Sequence, residues 1–407
     1  MAMMSDKTSY FPLGQATLLP QEEMLEIGRR KKKLSVGIPK ETSRFENRVA
    51  LTPQGVELLV ANGHNVIFES GAGDKAHYFD KDFAECGAQI VKGKSAVLKA
   101  DIVLKVSALT EEEVDVLEPN QLVISLLNLY RQSRESIQRM LDRRLNAIAF
   151  ELLKDDNGCY PVIRSMSEIE GTASVMIASE YLSKAHSGKG VLLGGVTGIS
   201  PSDLVILGAG TAGEFAAKAA LGLGASVKVF DNSYHRLREL ERNIGQRIFT
   251  SVLHPQALTK ALQSADAVLG SLRYLHTGRS FMVTEDQVAQ MKKGSIIIDL
   301  SMDQGGCFES SKCTDFDHPV FTKHGVIHYC VPNIASRVSR TSSIALSNIF
   351  APIVLRLGEA GGVHHLIKED VGLSNGMYLY KGILTNSHIG RHFNIPYKDI
   401  GLLMAAF

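Results

Sequence analysis

DLVILGAGTAGEFAAKAALGLGASVKVFD, residues 203–231, is the stretch that decides the fold of this chain. The apolar run 204–207 predicts a buried parallel strand, and Gly208, Gly210 and Gly213 then form the pattern G-x-G-x-x-G. A helical apolar pattern follows at once, and a second apolar strand then ends on an acid. Because all these parts come in order, they indicate a dinucleotide-binding β-α-β unit rather than a glycine turn alone.

Each position of the glycine loop has a physical role in such a unit. Gly208 allows the tight turn, Gly210 lets the backbone approach a pyrophosphate, and Gly213 lets the helix pack closely on the strand. Thr211 and Ala212 lie between the last two glycines, where the helix begins. The phosphates of the ligand are expected at this helix N-terminus, where backbone N–H groups are free.

The acid at the tip of the second strand predicts which dinucleotide is preferred. Asp231 can accept hydrogen bonds from an adenosine ribose, but it would repel a 2′-phosphate. The sequence therefore predicts NAD as the cofactor, in preference to NADP.

Composition excludes several classes of function. The chain has 407 residues and a net charge of +1 with interleaved charges, so neither nucleic acid nor an anionic membrane is an expected partner. No apolar run reaches the roughly eighteen residues that span a bilayer. The five cysteines are scattered and never form C-x-x-C, which predicts free thiols in a reducing, cytoplasmic compartment. A small-molecule substrate fits this composition best.

The order of predicted elements gives an α/β fold with two Rossmann-like, doubly wound domains joined by long helices, and an active-site cleft between them. Residues 1–33 form an N-terminal extension that includes the basic run RRKKK. The substrate domain is expected to comprise 34–160 and 340–407, and the NAD-binding domain 161–339. Only helix is predicted after residue 333, and the histidines lack the spacing of a metal site, so no metal is predicted.

Individual strands and helices follow from the period of the apolar residues. Strands are predicted at 34–38, 65–69, 102–106, 122–126, 146–149, 204–207, 226–230, 267–269 and 295–299. Helices are predicted at 52–61, 133–143, 167–185 and 341–357.

Several motifs carry a family resemblance. They are VGIPKET (36–42), NRVALTP (47–53), ESGAG (69–73), RSMSEIEG (164–171), GVLLGGVTGISP (190–201), DLSMDQGGCFE (299–309) and DHP (317–319). With these motifs the chain resembles the alanine dehydrogenase and nicotinamide nucleotide transhydrogenase N-terminal family, and the DQGGCFE block looks most like alanine dehydrogenase. The resemblance implies two Rossmann-like domains, NAD binding and a homo-oligomer, usually a hexamer of soluble subunits.

The resemblance also implies roles for five residues of this chain. Arg48 matches the arginine that grips the substrate carboxylate. Asp303 matches an acid beside the nicotinamide and the reacting carbon, and Asn333 a position near nicotinamide and substrate. Ser167 matches a phosphate-contacting serine, and Arg236 a basic residue near the adenosine.

Two positions depart from the alanine dehydrogenase pattern. Ser107 stands where the resemblance implies a lysine at the substrate, and only Lys105 remains on that strand. Asn128 stands where it implies the catalytic histidine, and an amide cannot exchange a proton near neutral pH. Tyr130 and His276 are candidates by position for supplying the proton.

The sequence thus predicts an NAD-dependent alanine dehydrogenase that converts L-alanine to pyruvate and ammonia. Arg48 would hold the carboxylate, with Ser107 beside it, Asp303 would orient water and ammonia, and Asn128 would hydrogen-bond the substrate oxygen. One alternative is an NAD-binding member of the family that has lost or altered its catalysis. The other is a soluble NAD-binding component of a transhydrogenase.

Overall fold

Two mostly parallel sheets with helices on both faces make up the structure, which confirms the predicted fold class. The computed structural model describes residues 31–129, 132–272, 282–302 and 305–406. Its strands are β1 Ser35–Ile38, β2 Asn65–Glu69, β3 Gln89–Val91, β4 Ile102–Leu104, β5 Leu122–Ser125, β6 Asn146–Ala149, β7 Asp203–Leu207, β8 Ser226–Phe230, β9 Phe249–Ser251, β10 Ala267–Gly270, β11 Ile296–Asp299, β12 Val320–Lys323, β13 Val326–Tyr329, β14 Met377–Tyr380 and β15 Ile383–Leu384.

Helices connect these strands and cover both sheets. They are α1 Pro53–Ala61, α2 Asp80–Glu85, α3 Lys94–Val97, α4 Glu111–Val116, α5 Arg134–Asp142, α6 Pro161–Leu182, α7 Thr211–Gly222, α8 Tyr234–Ile244, α9 Pro255–Ser264, α10 Glu285–Ala289, α11 Ser339–Glu359, α12 Val363–Glu369, α13 Val371–Gly376, α14 Ser387–Phe393 and α15 Ile400–Ala406.

Both sheets have the strand order of a dinucleotide-binding fold. In the described residues the first sheet runs β15-β14-β6-β5-β4-β1-β2-β3, and the second runs β12-β13-β11-β10-β7-β8-β9. Each contains a six-strand parallel core whose order reverses between its first and fourth strands, β1 and β4 or β7 and β10. Ligands of such sheets bind at the carboxyl ends of the strands beside this switch point. The fold therefore places one crevice at the loop after β1 and another at the loop after β7.

Burial on both faces explains why the strands read as continuous apolar runs. In β4, Ile102 and Leu104 belong to one buried cluster, and Val103 between them belongs to the cluster on the opposite face. In β7, Leu204 and Ile206 face one core in the same way, and their neighbours face another. A parallel sheet covered by helices on both faces requires this composition.

Two long helices, α6 and α11, connect the parts of the fold that are built on the two sheets. The segment Ile334–Glu359, which contains α11, is long and apolar enough to cross a membrane, but 44% of its most apolar window is buried inside the fold. Its Ser347 hydroxyl accepts the backbone N–H of Thr52 at 3.1 Å, at the start of α1. Polar contacts of this kind identify α11 as a core helix of the fold.

The sequence missed the edges of both sheets. Four short strands were not predicted: β3, β9, β12 and β13. The expectation that only helix follows residue 333 was wrong, because β14 and β15 form an antiparallel hairpin. β14 pairs with β6 and extends the first sheet. Edge strands of three or four residues carry too little periodicity to be distinguished from loops. The long helix α6 also differs from the prediction. It begins at Pro161, six residues earlier than predicted, because proline is favoured at the first position of a helix.

Candidate active site

The glycine loop has the tight geometry that its sequence predicts. Gly208 has a φ of +117°, and a Cβ there would lie 2.7 Å from the Ser271 hydroxyl. A Cβ on Gly213 would lie 1.9 Å from the carbonyl oxygen of Gly208, so the helix packs directly on the turn. Both positions therefore require glycine for the fold itself.

The middle glycine differs from the other two, because no atom of the described residues lies close beside it. Gly210 is the N-cap of α7, and an added Cβ would meet no described atom within 4 Å. The helix begins at Thr211 and Ala212, and the first N–H groups of a helix have no partner inside it. Open space at a helix N-terminus fits a pyrophosphate, so this loop fits a dinucleotide.

Asp231 directly follows β8, beside the glycine loop. Its side chain is buried, and its carboxylate accepts the N–H groups of Ala209 and Ser233, each at 2.8 Å. The carboxylate thus holds the glycine loop and the start of α8 together. A second lone pair on each oxygen stays available for a ribose hydroxyl.

Two further predicted cofactor residues lie on helices around this loop. Ser167 lies on α6 one turn before Gly171, whose added Cβ would be 2.2 Å from the carbonyl oxygen of Ala212. Residues four apart share one face of a helix, so Ser167 lies on the face that packs on the loop. Arg236 lies exposed in the first turn of α8, and its N–H donates to the Ser233 hydroxyl at 3.3 Å.

The predicted substrate residues Arg48 and Asn333 both donate hydrogen bonds to Glu46, a residue that the sequence did not suggest. The Arg48 guanidinium donates from Nε and Nη2 to the two Glu46 oxygens at 2.7 and 2.6 Å. The Asn333 amide donates to Glu46 Oε2 at 3.0 Å. Loops after β1 and β13, from the two sheets, are therefore joined at one carboxylate.

This contact changes what Arg48 can offer a substrate. Burial alone would raise the pKa of Glu46, but the charge and hydrogen bonds of Arg48 hold it below its ordinary value, so the pair is ionised. The third guanidinium nitrogen, Nη1, contacts a weak acceptor, the Met166 sulfur, at 3.4 Å. The bidentate grip expected from sequence is thus already used by Glu46, and a substrate carboxylate would bind Nη1.

Ser107 follows β4 and is held by Glu41, a second carboxylate that the sequence did not suggest. Glu41 accepts the Val106 N–H at 2.7 Å and both the N–H and the hydroxyl of Ser107. Burial raises the pKa of Glu41, while the charge of Lys105 opposes this rise and that of Glu46 adds to it. The position at which the resemblance implies a lysine is therefore occupied by a serine that is bonded to a half-buried glutamate.

Lys105 does not take the place of that lysine. It is 1% exposed, and its ammonium donates to Glu113 at 2.6 Å and to the Ala108 carbonyl at 3.1 Å. Lys94 binds the other Glu113 oxygen at 2.7 Å. Lys105 is part of a buried ion pair under the sheet edge, and its ammonium is already bonded there.

Asn128 lies after β5 with a φ of +50° and a half-buried side chain. Its N–H and that of Leu127 donate to Glu151 Oε1 at 3.1 and 2.9 Å. The other oxygen, Glu151 Oε2, is buried and has no hydrogen-bond partner among the described residues. Burial raises the pKa of Glu151 above its ordinary value.

Three predicted candidates, Asp303, Tyr130 and His276, lie outside the described residues. The neighbouring Asp299 is buried and accepts the N–H groups of Ser301 and Cys307 at 3.0 and 2.7 Å. These bonds give Asp299 a structural role, because its carboxylate holds backbone on both sides of the DQGG block. Among the described residues, no group of three His, Cys, Asp or Glu side chains has metal-binding geometry.

Two glutamates of the site could have been identified from the quoted motifs. Glu41 is the acid of VGIPKET, and Glu46 stands two residues before the motif arginine. An acid so close to a substrate arginine is the available signal for a competing ion pair. Glu151 had no such signal, because only the pairing of β5 with β6 brings it beside Asn128.

The fold and the site together define the class of protein. One Rossmann-like domain presents a dinucleotide loop and the amide of Asn333, and the second presents an arginine, three carboxylates and one amide at the carboxyl ends of its strands. This combination defines an oxidoreductase with a dinucleotide-binding fold.

Comparison with known proteins narrows the class to a family. Models of the N-terminal and C-terminal domains of alanine dehydrogenase/PNT match residues 37–170 and 174–387. Alanine dehydrogenase 2 of Staphylococcus aureus (strain USA300) is 38% identical over 368 residues, which cover 90% of this chain and 98% of that protein. The chain belongs to the alanine dehydrogenase/PNT family, as its motifs predict.

Solved structures agree with this assignment. An L-alanine dehydrogenase superimposes with a TM-score of 0.82 at 35% identity, covering 88% of this chain and 99% of that one. A transhydrogenase from Sinorhizobium meliloti, at 23% identity and a TM-score of 0.74, shares the fold over 87% of this chain and 99% of its own. The protein is an oxidoreductase of the alanine dehydrogenase type.

Proposed function

We propose that this protein is an NAD-dependent alanine dehydrogenase that interconverts L-alanine with pyruvate and ammonia. The observation that carries the proposal is the junction of Arg48, Glu46 and Asn333, which brings a cation for a carboxylate from the first domain against the domain that holds the glycine loop. The nicotinamide, when bound, would accept the hydride that leaves the substrate Cα.

The residues of this chain would bind and orient the reactants. Arg48 Nη1 would take the substrate carboxylate, and the half-exposed amide of Asn128 would hydrogen-bond the substrate oxygen. Ser107 would be held at the cleft by Glu41, and we keep Asp303 as the residue that orients water and ammonia. The dinucleotide would be held by the glycine loop and three further residues: Gly208, Gly210, Thr211, Ala212 and Gly213, with Asp231, Ser167 and Arg236.

The same proposal covers the organisation of the protein. Residues 34–160 with 340–407 would form the substrate domain and 161–339 the NAD domain, and the addition of β14 to the first sheet supports this division. Resemblance supports a cytoplasmic homo-oligomer, with a hexamer as the expected state.

The test is an assay of purified protein with pyruvate, ammonia and NADH across several pH values. We expect NADH oxidation that depends on both pyruvate and ammonia. An absence of NADH oxidation above the blank, for pyruvate and for other small 2-oxo acids, would contradict the proposal.

A second candidate is an NAD-binding protein whose chemistry has been lost. It is favoured by Ser107 and Asn128, which stand where the resemblance implies a lysine and a histidine, since neither an amide nor a serine hydroxyl bonded to Glu41 acts as an acid or base near neutral pH. It predicts NAD binding by calorimetry without turnover.

Asp231→Ser is expected to relax the choice between NAD and NADP. The ribose hydrogen bonds are lost and so is the charge that repels a 2′-phosphate, and we expect the NAD:NADP preference to fall by about tenfold or more, or about 1.4 kcal/mol. Because Asp231 also accepts the N–H groups of Ala209 and Ser233, this variant should lose thermal stability as well. Calorimetry with both dinucleotides measures the preference, and an unchanged ratio would show that the residue is not at the ribose.

A further inference from the structure

Glu151 is a carboxyl group that the fold holds by one oxygen only. Oε1 accepts two backbone N–H groups from the loop after β5, and Oε2 is buried with no partner among the described residues. A buried carboxylate oxygen without a hydrogen bond is costly when ionised. Burial of this kind raises the pKa of the carboxyl group toward a working pH, where it can both take up and release a proton.

The proposed reaction needs a proton acceptor. Oxidation of an amino acid by a nicotinamide moves one hydride, and the substrate ammonium must lose a proton before the C=N bond can form. Arg48 stays protonated at any working pH, and the amide of Asn128 does not titrate. Within the described part of the site, the acceptor must therefore be a carboxylate.

The other carboxyl groups described at this edge are already hydrogen-bonded. Both oxygens of Glu46 are bound by Arg48, and one also by Asn333. Glu41 receives the N–H of Val106 and both donors of Ser107. Among the described carboxylates next to the substituted positions, Glu151 is the one with an oxygen left to bind a proton.

We propose that Glu151 is the proton acceptor and donor of this active site, working through one water molecule that reaches it beside Asn128. This inference rests on the proposed amino-acid dehydrogenase function and names the group that its substituted site uses. The N–H of Asn128 donates to Glu151 Oε1 at 3.1 Å, and the side chain of Asn128 is half-buried, so the proposed water is placed beside this residue.

The step balances in protons and electrons. In deamination, the substrate ammonium loses a proton through the water to the ionised Glu151, and the Cα–H electron pair leaves as hydride for the nicotinamide while C=N forms. Water then adds to the iminium carbon and releases one proton to solvent. Glu151 returns its proton to the nitrogen of the carbinolamine, the C–N bond breaks as C=O forms, and the hydroxyl proton leaves with ammonia as ammonium, so the carboxylate is regenerated.

The surroundings of Glu151 suit this role. Tyr378 of β14 is an ionisable side chain that the charge of Glu151 influences. Burial is the larger cause that raises the pKa of this tyrosine, and the charge of Glu151 raises it further. Tyr378 thus stays neutral at working pH and its hydroxyl lies 3.6 Å from the Met140 sulfur. Among the described residues, no cation lowers the pKa of Glu151 and holds it ionised.

The experiment compares Glu151→Gln with the wild type over a range of pH. Glutamine keeps an oxygen for the N–H groups of Leu127 and Asn128, so the variant should fold. We expect kcat for alanine oxidation to fall by about 10²-fold, and the limb of the pH profile that reports the carboxylate to disappear. In Glu151→Ala, added formate should restore part of the rate, because a small carboxylate can occupy the vacated space.

Glu41→Gln is the matched control, since it removes a carboxylate at the same sheet edge. If the pH limb disappears in Glu41→Gln and stays in Glu151→Gln, or if Glu151→Gln leaves kcat unchanged, the inference is overturned. An inactive wild type would instead refute the proposed function, and a second measurement still tests Glu151 in that case.

That measurement is thermal stability against pH. A carboxyl group whose folded pKa is raised stabilises the fold below its unfolded pKa, and this contribution is lost as the pH rises through the folded pKa. The Tm advantage of Glu151→Gln over wild type should therefore grow from pH 4 to pH 8. A constant difference would show that Glu151 carries no displaced proton and would overturn the inference by itself.

Discussion

Gly210→Val is expected to abolish NADH binding while the protein keeps its fold. In the described part of the chain, no atom lies within 4 Å of a Cβ at this position, so the substitution should cost the fold little. The same side chain would occupy the space into which the first N–H groups of α7 point, where a pyrophosphate would bind. We expect affinity to fall by at least about 10³-fold, or about 4 kcal/mol.

Calorimetry with NADH measures the affinity, and a thermal melt measures the fold. Gly213→Ala is the control, because its Cβ would lie 1.9 Å from the Gly208 carbonyl oxygen and must move the helix. That variant should lose stability as well as binding. If folded Gly210→Val binds NADH as the wild type does, the glycine loop is not the phosphate site.

Asn128→His combined with Ser107→Lys is expected to raise the rate of alanine oxidation by about 10²-fold if acid/base catalysis limits the wild type. Asn128 has a φ of +50°, a conformation that histidine also tolerates, so an imidazole can be placed there without a new backbone. A lysine at 107 would find Glu41 within reach, since that carboxylate already binds the Ser107 hydroxyl.

Steady-state kinetics of the double variant and both single variants test this expectation. The gains should exceed additivity, because the two groups would act on one substrate. If Glu151 already exchanges the proton efficiently, the double variant gains little, and adding Glu151→Gln to it should then cost much less than in the wild type. A folded double variant that binds NADH and gains nothing over an inactive wild type would contradict the amino-acid dehydrogenase proposal.

Much of the fold could be predicted from the sequence because strands and glycine loops give recognisable patterns over a few consecutive residues. Parallel strands buried on both faces give apolar runs such as 204–207, and a glycine loop needs small residues at fixed positions. The strands β2, β6 and β8 lie where the apolar runs predict them. Short edge strands such as β9 and β15 were missed, since their residues alternate too briefly to give a period.

The proposed cofactor residues other than Ser167 lie in one continuous segment, residues 208–236, and so the sequence alone could predict them together. The substrate half is built from loops after β1, β4, β5, β6 and β13, whose residues are up to 287 positions apart, as in the contact of Asn333 with Glu46. Motifs name such residues singly, and they do not say which side chains become partners.

Only the tertiary structure decided how the charges are paired. The sequence offered Arg48 as a free cation and Lys105 as the one lysine left near the substrate, yet the first is held by Glu46 and the second is buried against Glu113. It gave no indication that Glu151 would lie beside Asn128 with one oxygen unpaired. The physical reason is that hydrogen bonding and burial depend on which strand ends are neighbours, and strand order is a property of the assembled sheet.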